Sequence, residues 1–159
     1  MNIRDCQTSD LPRLVDLTIE TFRPLFEEHL PDTLAPQVFA HDHGDWEGDY
    51  RKEVPTFHDP SNERFITLAE AEERLLGYVG WNITAGDSGR LDMVAVHPGA
   101  QRRGVGSALC RNVVERLRSR SVTVVHIGTG GDAFHAPARR LYESLGFTGY
   151  PVVDYTRAL

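Results

Sequence analysis

Residues 91–118 constrain the fold of this chain more than any other stretch, because a strand, a glycine-containing turn and a helix follow one another directly. Residues 94–96, Val-Ala-Val, are short and mostly β-branched, which is typical of a buried strand, and Pro98-Gly99 ends it. The apolar residues that follow recur at helical spacing: Val105, Leu109, Val113, Val114 and Leu117. The sequence therefore predicts a helix that begins near Gly104, directly behind a turn.

The turn in front of this helix has the features of an anion-binding site. The first N–H groups of a helix lack partners within the helix, and the helix dipole makes this end partly positive. Gly104 and Gly106 have no Cβ atom, so a diphosphate can approach the backbone closely, while Arg102 and Arg103 add full positive charges. The pattern, Gln101-x-x-Gly-x-Gly, is neither a P-loop nor a dinucleotide-binding fingerprint, because it lacks the Gly-Lys-Ser/Thr of the first and the third glycine of the second.

Two motifs resemble those of a known family. Residues 94–106, Val-Ala-Val-His-Pro-Gly-Ala-Gln-Arg-Arg-Gly-Val-Gly, are similar to the acetyl-coenzyme A motif of the GCN5-related N-acetyltransferases (GNAT), which follows the fourth strand of their fold. Residues 138–147, Ala-Arg-Arg-Leu-Tyr-Glu-Ser-Leu-Gly-Phe, resemble the second motif of that family, a helix ending in Tyr-Glu-x-x-Gly-Phe. Both motifs stand in the family's order and at about its usual separation. The chain is identified as a member of the GNAT superfamily, and the resemblance covers nearly its whole length.

Length and composition indicate a single globular domain. A chain of 159 residues, 40% of them hydrophobic, can bury a sizeable core, and we expect one N-acetyltransferase domain over residues 1–159. No apolar run approaches the roughly 20 residues that cross a bilayer, and the first residues lack the apolar region of a signal peptide. Cys6 and Cys110 show no metal-ligand spacing, which predicts two reduced thiols and no metal site. We therefore expect a cytoplasmic protein without a membrane partner.

Charge is distributed unevenly along the chain. Residues 1–90 contain 18 Asp/Glu and 8 Lys/Arg, a net charge of −10, whereas residues 91–159 contain 5 and 9, a net charge of +4. The overall net charge of −6 argues against a nucleic-acid partner. The basic half contains the predicted phosphate turn, and the acidic half suits a cationic, amine-bearing acceptor. An ordinary solvated surface is the alternative explanation.

Periodicity along the chain predicts an α/β fold with helices on both faces of a mixed sheet. Strands are predicted at residues 1–6, 64–69, 75–83, 90–96 and 122–127 and from residue 151 onward. Helices are predicted from residue 11 to a point before Pro24, around residues 25–30 and 33–40, near residues 46–54, from Gly104, and from residues 135–136 to 145. Residues 41–50 are predicted to form a loop, or a loop that leads into the short helix near residues 46–54. The resemblance implies the GNAT fold, with a mostly antiparallel central sheet of six to seven strands flanked by about four helices.

The resemblance implies acetyl-coenzyme A as the cosubstrate, held mainly by backbone groups of the fourth strand and of the turn. The cofactor-binding residues predicted in this way are Val94, Ala95, Val96, Gln101, Arg102, Arg103, Gly104, Val105, Gly106, Ser107 and His135. His135 stands where the family often has a cofactor-contacting asparagine. A histidine can still donate one hydrogen bond at that position.

Catalytic and acceptor-binding residues are predicted from the second motif, the fourth strand and the segment between the first strands that forms part of the acceptor site in the family. Tyr142 matches the family tyrosine that protonates the departing thiolate; the alternative is a tyrosine that only packs the last helix onto the sheet. Asp92 is the carboxylate of the predicted fourth strand and the candidate general base, with a water chain as the alternative. Asp45 and Trp46 lie in an acidic, aromatic segment that can hold an ammonium by charge and cation–π attraction; an ordinary solvated loop is the alternative.

These patterns predict an acetyl-coenzyme A-dependent N-acetyltransferase that transfers the acetyl group directly to a primary amine of a small, cationic molecule. Two alternatives stay open: acetylation of a peptide or protein N-terminus, and a non-catalytic domain that binds acyl-coenzyme A as a sensor. Pairing through the C-terminal strand is common in the family, so the resemblance also allows a homodimer.

Overall fold

A mixed sheet of five strands forms the centre of the molecule in this computed structural model, which describes residues 1–84 and 86–159. The strands lie side by side in chain order: β1 (Asn2–Asp5), β2 (Arg64–Ala71), β3 (Arg74–Thr84), β4 (Ser88–Val96) and β5 (Val124–Ile127). β1 to β4 pair antiparallel, and β5 pairs parallel with β4. The mixed, mostly antiparallel α/β fold is confirmed, although six to seven strands were predicted.

The predicted strand from residue 151 onward is wrong. Residues 147–159 form neither helix nor strand, and Tyr150, Val152, Val153 and Tyr155 are all at least 68% exposed. β-branched and aromatic residues favour a strand only where a neighbouring strand supplies hydrogen bonds and packing. No strand among the described residues pairs with this segment.

The helices are α1 (Leu11–Pro24), α2 (Leu30–Thr33), α3 (Pro36–His43), α4 (Trp46–Glu53), α5 (Val105–Ser119) and α6 (Ala136–Ser144). The predicted end of the first helix before Pro24 is wrong, because α1 includes Pro24 and continues as a π-helical turn over Leu25–His29. Proline cannot donate the usual helical hydrogen bond, and a π turn is one way for a helix to continue past such a defect. The loop predicted over residues 41–50 is reduced to Gly44 and Asp45.

Helices cover both faces of the sheet, as predicted. On one face α1 and the segment after α4 pack through Leu14, Leu17, Val54 and Phe57 against β2, β3 and β4. On the other face the apolar stripe of α5 is buried against alternate residues of the same strands. Its fully buried members are Leu109, Cys110, Val113 and Leu117. Among the described residues, no helix has the length and apolar character that crossing a membrane requires.

β4 and β5 separate at one end, and this separation positions the site. Their pairing runs only from Ser88 with Val124 to Leu91 with Ile127, so residues 92–96 of β4 have no partner on β5. β4 also contains a β-bulge: Gly80 pairs with Met93 and Trp81 with Leu91, which leaves Asp92 without a residue opposite. Bulges redirect side chains and often occur beside active sites. Asp92 therefore lies where the sheet opens.

Candidate active site

A cavity of about 700 Å³ lies where β4 and β5 separate. Its walls come from β4, the turn before α5, the C-terminal half of α1, the loop after β5 and one face of α6. The predicted site residues that line it are Asp92, Val94, Val96, Gln101, Arg102, Gly104, Val105, Gly106, Ser107, His135 and Tyr142. The two sequence motifs, about 40 residues apart in the chain, thus meet in one cavity.

The turn before α5 is held in a conformation that leaves backbone donors free. Gly104 has a φ of +82° and Arg102 a φ of +58°, and the first hydrogen bond of α5 runs from Ala108 N to Gly104 O. The N–H groups of residues 105–107 are therefore available to a ligand. The Gln101 side chain donates to the carbonyl of Val96 at 3.1 Å, which ties the turn to the end of β4.

Gly106 has a packing role that the sequence did not indicate. A Cβ atom at this position would lie 3.1 Å from Leu141 Cδ2 and 3.6 Å from Val96 Cγ2. The first contact is closer than ordinary van der Waals distance, so the absence of a side chain lets α6 approach α5. Because Tyr142 follows Leu141 on α6, Gly106 also fixes how near this tyrosine comes to the turn.

Tyr142 is both a core residue and a cavity residue. Its side chain is 9% exposed, belongs to the core on the α5 face, and makes an edge contact with Phe147, with ring centroids 6.2 Å apart. Burial, and secondarily the neighbouring Cys110, raises the pKa of the Tyr142 phenol. The phenol therefore keeps its proton at neutral pH, and Tyr142 lines the cavity. The packing role and the catalytic role predicted for it are compatible.

Asp92 is surrounded by polar side chains from β2, β3 and its own strand, β4. Asn82 Nδ2 on β3 donates to Asp92 Oδ2 at 2.6 Å, and Arg64 on β2 lies 3.9 Å from the same oxygen. Arg90 approaches the other oxygen at 3.5 Å. The Asp92 side chain is only 13% exposed and lines the cavity. This arrangement presents an oriented carboxylate that can accept a proton inside the cavity.

In the segment predicted to bind the acceptor, residues 41–50, the residue that lines the cavity is neither Asp45 nor Trp46. Trp46 stacks on Phe26, with parallel rings 4.8 Å apart, and does not line the cavity. Asp45 caps α4 by accepting a hydrogen bond from Gly48 N at 3.3 Å and also lies outside the lining. Tyr50, one helical turn after Trp46, does line it. Contacts of Asp45 and Trp46 with an acceptor therefore stay predictions.

His135 is positioned by a network in the loop before α6. The Asp132 carboxylate accepts from the His135 backbone N–H at 3.1 Å and pairs with His135 Nδ1 at 2.7 Å. Burial would raise the pKa of Asp132, but the hydrogen bonds from His135 outweigh it, and the pKa lies below its usual range. Arg139 donates to the carbonyls of Gly130 and Asp132 at 2.6 and 2.7 Å. The loop is thus fixed, and His135 lines the cavity.

Several residues of the site escaped the sequence analysis. Phe22, Phe134 and Arg140 line the cavity, and Asn82 holds Asp92. Arg140 precedes Leu141 in the second motif and could have been identified there as a further cation. Of the predicted cofactor residues, Ala95 is fully buried in the core on the α1 face, and the exposed Arg103 lies outside the lining.

Comparison with known proteins identifies similar sequences and a similar fold. The model of the acetyltransferase (GNAT) family matches residues 12–147. The mycothiol acetyltransferase of Thermomonospora curvata is 34% identical over 157 residues, which cover 94% of this chain and 51% of that protein. The [ribosomal protein bS18]-alanine N-acetyltransferase of Salmonella typhimurium is 33% identical over 93 residues, which cover 58% of this chain and 61% of that protein. The chain thus spans about half the length of the mycothiol acetyltransferases it matches.

A solved structure shows the same fold at low sequence identity. The crystal structure of the PaiA N-acetyltransferase from Thermoplasma acidophilum, in complex with coenzyme A, has a TM-score of 0.73 and 14% identity to this chain. The superposition covers 92% of this chain and 89% of that one. The fold of residues from β1 to α6 is therefore that of known acetyltransferases.

Proposed function

The chain belongs to the acetyltransferase (GNAT) family, and from this membership we propose that residues 1–159 form a domain that transfers an acetyl group from acetyl-coenzyme A directly to the primary amine of a small, cationic molecule. The observation that supports the proposal most is the single cavity lined by the α5 turn, Asp92 and Tyr142. An anion-binding turn, a held carboxylate and a protonated phenol are the groups that this reaction needs.

Acetyl-coenzyme A fits the residues that line the cavity. The free N–H groups of residues 105–107, together with Arg102 and Arg140, suit a diphosphate. The open edge of β4 over residues 92–96 offers backbone groups to an amide-containing arm. When bound, acetyl-coenzyme A supplies the acetyl thioester whose carbon–sulfur bond breaks as the amine nitrogen forms its bond to the acetyl carbon.

The proton transfers in this proposal are assigned to Asp92 and Tyr142. An amine enters as an ammonium ion and must lose one proton before its nitrogen can attack, and the Asp92 carboxylate accepts that proton. Tyr142 donates its phenolic proton to the departing sulfur and regains one from solvent. The nitrogen releases its second proton to solvent as the amide forms, and Asp92 also returns its proton to solvent. The products are an N-acetyl amine, a free thiol and one proton released to solvent.

A peptide N-terminus is a second candidate acceptor. The sequence similarity to a [ribosomal protein bS18]-alanine N-acetyltransferase supports it, because that acceptor is an α-amine. A sensor that binds acyl-coenzyme A without turnover is the third candidate. Short peptides and small amines therefore belong in the same assay. We also propose a cytoplasmic location, which the two free, buried cysteines support because reduced thiols are typical of that compartment.

The test measures thiol release from acetyl-coenzyme A with a panel of small amines and N-terminal peptides, together with calorimetric titration of acetyl-coenzyme A. We expect turnover on at least one small amine, and we expect Asp92→Asn to lower kcat roughly 100-fold without weakening acetyl-coenzyme A binding. If acetyl-coenzyme A binds but no acceptor causes thiol release, the result would contradict an enzymatic function and favour a sensor. Thiol release with peptides alone would show that the acceptor is a peptide N-terminus rather than a small molecule.

A further inference from the structure

The end of the cavity formed by α1, α4 and the loop before α6, where we expect the acceptor to bind, is apolar and aromatic. The residues that line it are Phe22 on α1, Leu25 in the π-helical turn after α1, Tyr50 on α4, Met93 on β4 and Phe134 in the loop before α6. Among the described residues that line the cavity, Asp92 is the one carboxylate. The site thus offers one negative charge to one ammonium group and an apolar surface to the rest of the molecule.

The acidic surface near this end of the cavity is largely neutralised by arginines. Arg23 pairs with Glu27 at 2.8 Å and with Glu47 at 3.3 Å, and Arg51 pairs with Glu47 at 3.2 Å. Carboxylates held in such close ion pairs attract an additional cation weakly. The arginines nearest Asp92 are farther from their carboxylate, at 3.5 Å for Arg90 and 3.9 Å for Arg64. The negative charge of the N-terminal half therefore does not by itself predict an acceptor with several ammonium groups.

Glu53 is also a poor second partner for an ammonium. It does not line the cavity, and burial raises its pKa, with Asp49 and Asp92 adding to the effect. A carboxyl group that is harder to ionise is a weaker partner for a cation. A polyamine or an aminoglycoside would carry several charges into a cavity that has a partner for one.

The Phe22 ring contacts two other aromatic rings that line this space. The Phe22 ring lies 5.6 Å from Tyr50 and 6.1 Å from Phe134, with interplanar angles of 34° and 47°. Phe134 also contacts His29, with ring centroids 5.6 Å apart, and it belongs to the loop that Asp132 and Arg139 hold in place. Tilted rings at these separations present faces and edges that suit a further planar ring.

We propose that the acceptor is a monoamine whose amino group is attached, through a short linker, to an aromatic or other planar apolar group. The Asp92 carboxylate binds the ammonium, and Phe22, Tyr50 and Phe134 enclose the planar group. This inference rests on the proposed function and narrows its acceptor class.

The test compares three amines as acceptors: 2-phenylethylamine, 1,4-diaminobutane and 2-aminoethanol. We expect kcat/KM from thiol release to be roughly tenfold or more higher for 2-phenylethylamine than for either other amine. Phe134→Ala and the milder Phe134→Leu should each lower this advantage, and Ala should lower it more. Phe39→Ala is the matched control, because Phe39 contacts His43 on α3 and does not line the cavity.

Calorimetric titration of each amine into the protein saturated with coenzyme A separates this inference from the proposed function. If kcat/KM is highest for 1,4-diaminobutane, or is the same for the three amines, the inference is wrong but the proposed transferase activity is still supported. If 2-phenylethylamine binds in a Phe134-dependent way but no amine supports thiol release from acetyl-coenzyme A, the proposed ligand class is supported and the proposed transferase activity is wrong. The inference would also be overturned if 2-phenylethylamine neither binds nor supports thiol release, whether or not another amine is turned over.

Discussion

Tyr142 combines a buried ring with a hydroxyl group at the cavity, and the two roles can be separated by removing only the oxygen. We expect Tyr142→Phe to lower kcat for thiol release roughly 100-fold, because the departing sulfur loses its proton donor, and to leave the free energy of unfolding nearly unchanged. Since burial raises the pKa of the phenol, the wild-type enzyme should keep this proton donor throughout neutral and mildly alkaline pH.

The control for this substitution is Tyr150→Phe, which removes the same oxygen from a side chain that is 84% exposed. It should leave kcat and KM unchanged. An equal loss of activity in both variants, or full activity in Tyr142→Phe, would show that the phenol at position 142 is not the proton donor. A fall in unfolding free energy without a change in kcat would assign Tyr142 to packing alone.

The residues of the site differ in how far a single sequence could predict them. Tyr142 and the turn from Gln101 to Gly106 stand within motifs, so their meeting in one cavity was predictable. Asn82 reaches Asp92 only because of the strand register around the bulge in β4, and no local pattern encodes that register. Phe134 joins the cavity through a loop held by side-chain hydrogen bonds. Such positions depend on tertiary packing rather than on local periodicity.

At the scale of the element, the turn before α5 depends on one backbone conformation. Gly104 has a φ of +82° and a Cβ atom there would meet no neighbour, so the cost of a side chain is conformational rather than steric. We expect Gly104→Ala to lower the free energy of unfolding by about 1 kcal/mol and to weaken acetyl-coenzyme A binding, because the left-handed backbone is strained for alanine. Urea unfolding and calorimetry measure the two effects.

Gly149→Ala is the matched control, since a Cβ atom there also meets nothing and its φ lies outside the left-handed range. This variant should unfold and bind like the wild type. If Gly104→Ala binds acetyl-coenzyme A with unchanged affinity, the turn does not hold the diphosphate in the way proposed.

The start of α1 is joined to the sheet by a network of ion pairs around Asp10. Arg4 donates to Asp10 at 2.7 Å and to Glu70 at 2.8 Å, and the backbone N–H of Gln7 donates to Asp10 at 2.8 Å. The Arg4 guanidinium holds the pKa of Asp10 well below its usual range, against the opposing effect of burial, with Gln7 and Arg13 adding to the depression. This network links β1, β2 and α1.

We expect Asp10→Asn to lower the free energy of unfolding at pH 7 by about 2 kcal/mol, because three charge-assisted interactions are weakened. A depressed carboxyl pKa stabilises the fold above the unfolded pKa of 3.8 and loses this effect as the pH falls toward the folded value. The difference between wild type and variant should therefore shrink below about pH 4 in urea titrations. Asp16→Asn, at an exposed position of α1, should show no such dependence; a constant difference across pH would contradict the ion-pair explanation.

The elements themselves were predicted where local pattern and tertiary environment agree. α5 and the hairpin of β2 and β3 have strong periodicity and clear turn residues, and both are present near the predicted bounds. Pro24 predicted a helix end, but the π-helical turn after it lets the chain continue while Leu25 and Phe26 are buried. The strand from residue 151 was predicted from composition, which cannot supply the neighbouring strand that it needs.

At the scale of the whole molecule, two apolar cores share one sheet. Cys110 lies in the core on the α5 face and Cys6 in the core on the α1 face, and β2, β3 and β4 contribute residues to both cores. A sheet whose alternate residues belong to opposite cores couples them, because loss of either core exposes the strands that support the other. The two faces should therefore unfold in one cooperative transition.

The two cysteines allow this coupling to be measured. Burial raises the pKa of Cys6 to about 11 and that of Cys110 to about 12, so both thiols are inaccessible and almost wholly protonated in the native state. We expect iodoacetamide at pH 7.5 to leave both unmodified without denaturant, while an exposed control thiol introduced by Thr148→Cys reacts at once. In urea, pulse labelling followed by mass spectrometry should give the same midpoint for Cys6 and Cys110, equal to the midpoint seen by circular dichroism. Labelling of Cys6 at a lower urea concentration than Cys110 would instead show that the α1 face opens while the α5 core, which supports the turn and Tyr142, stays folded.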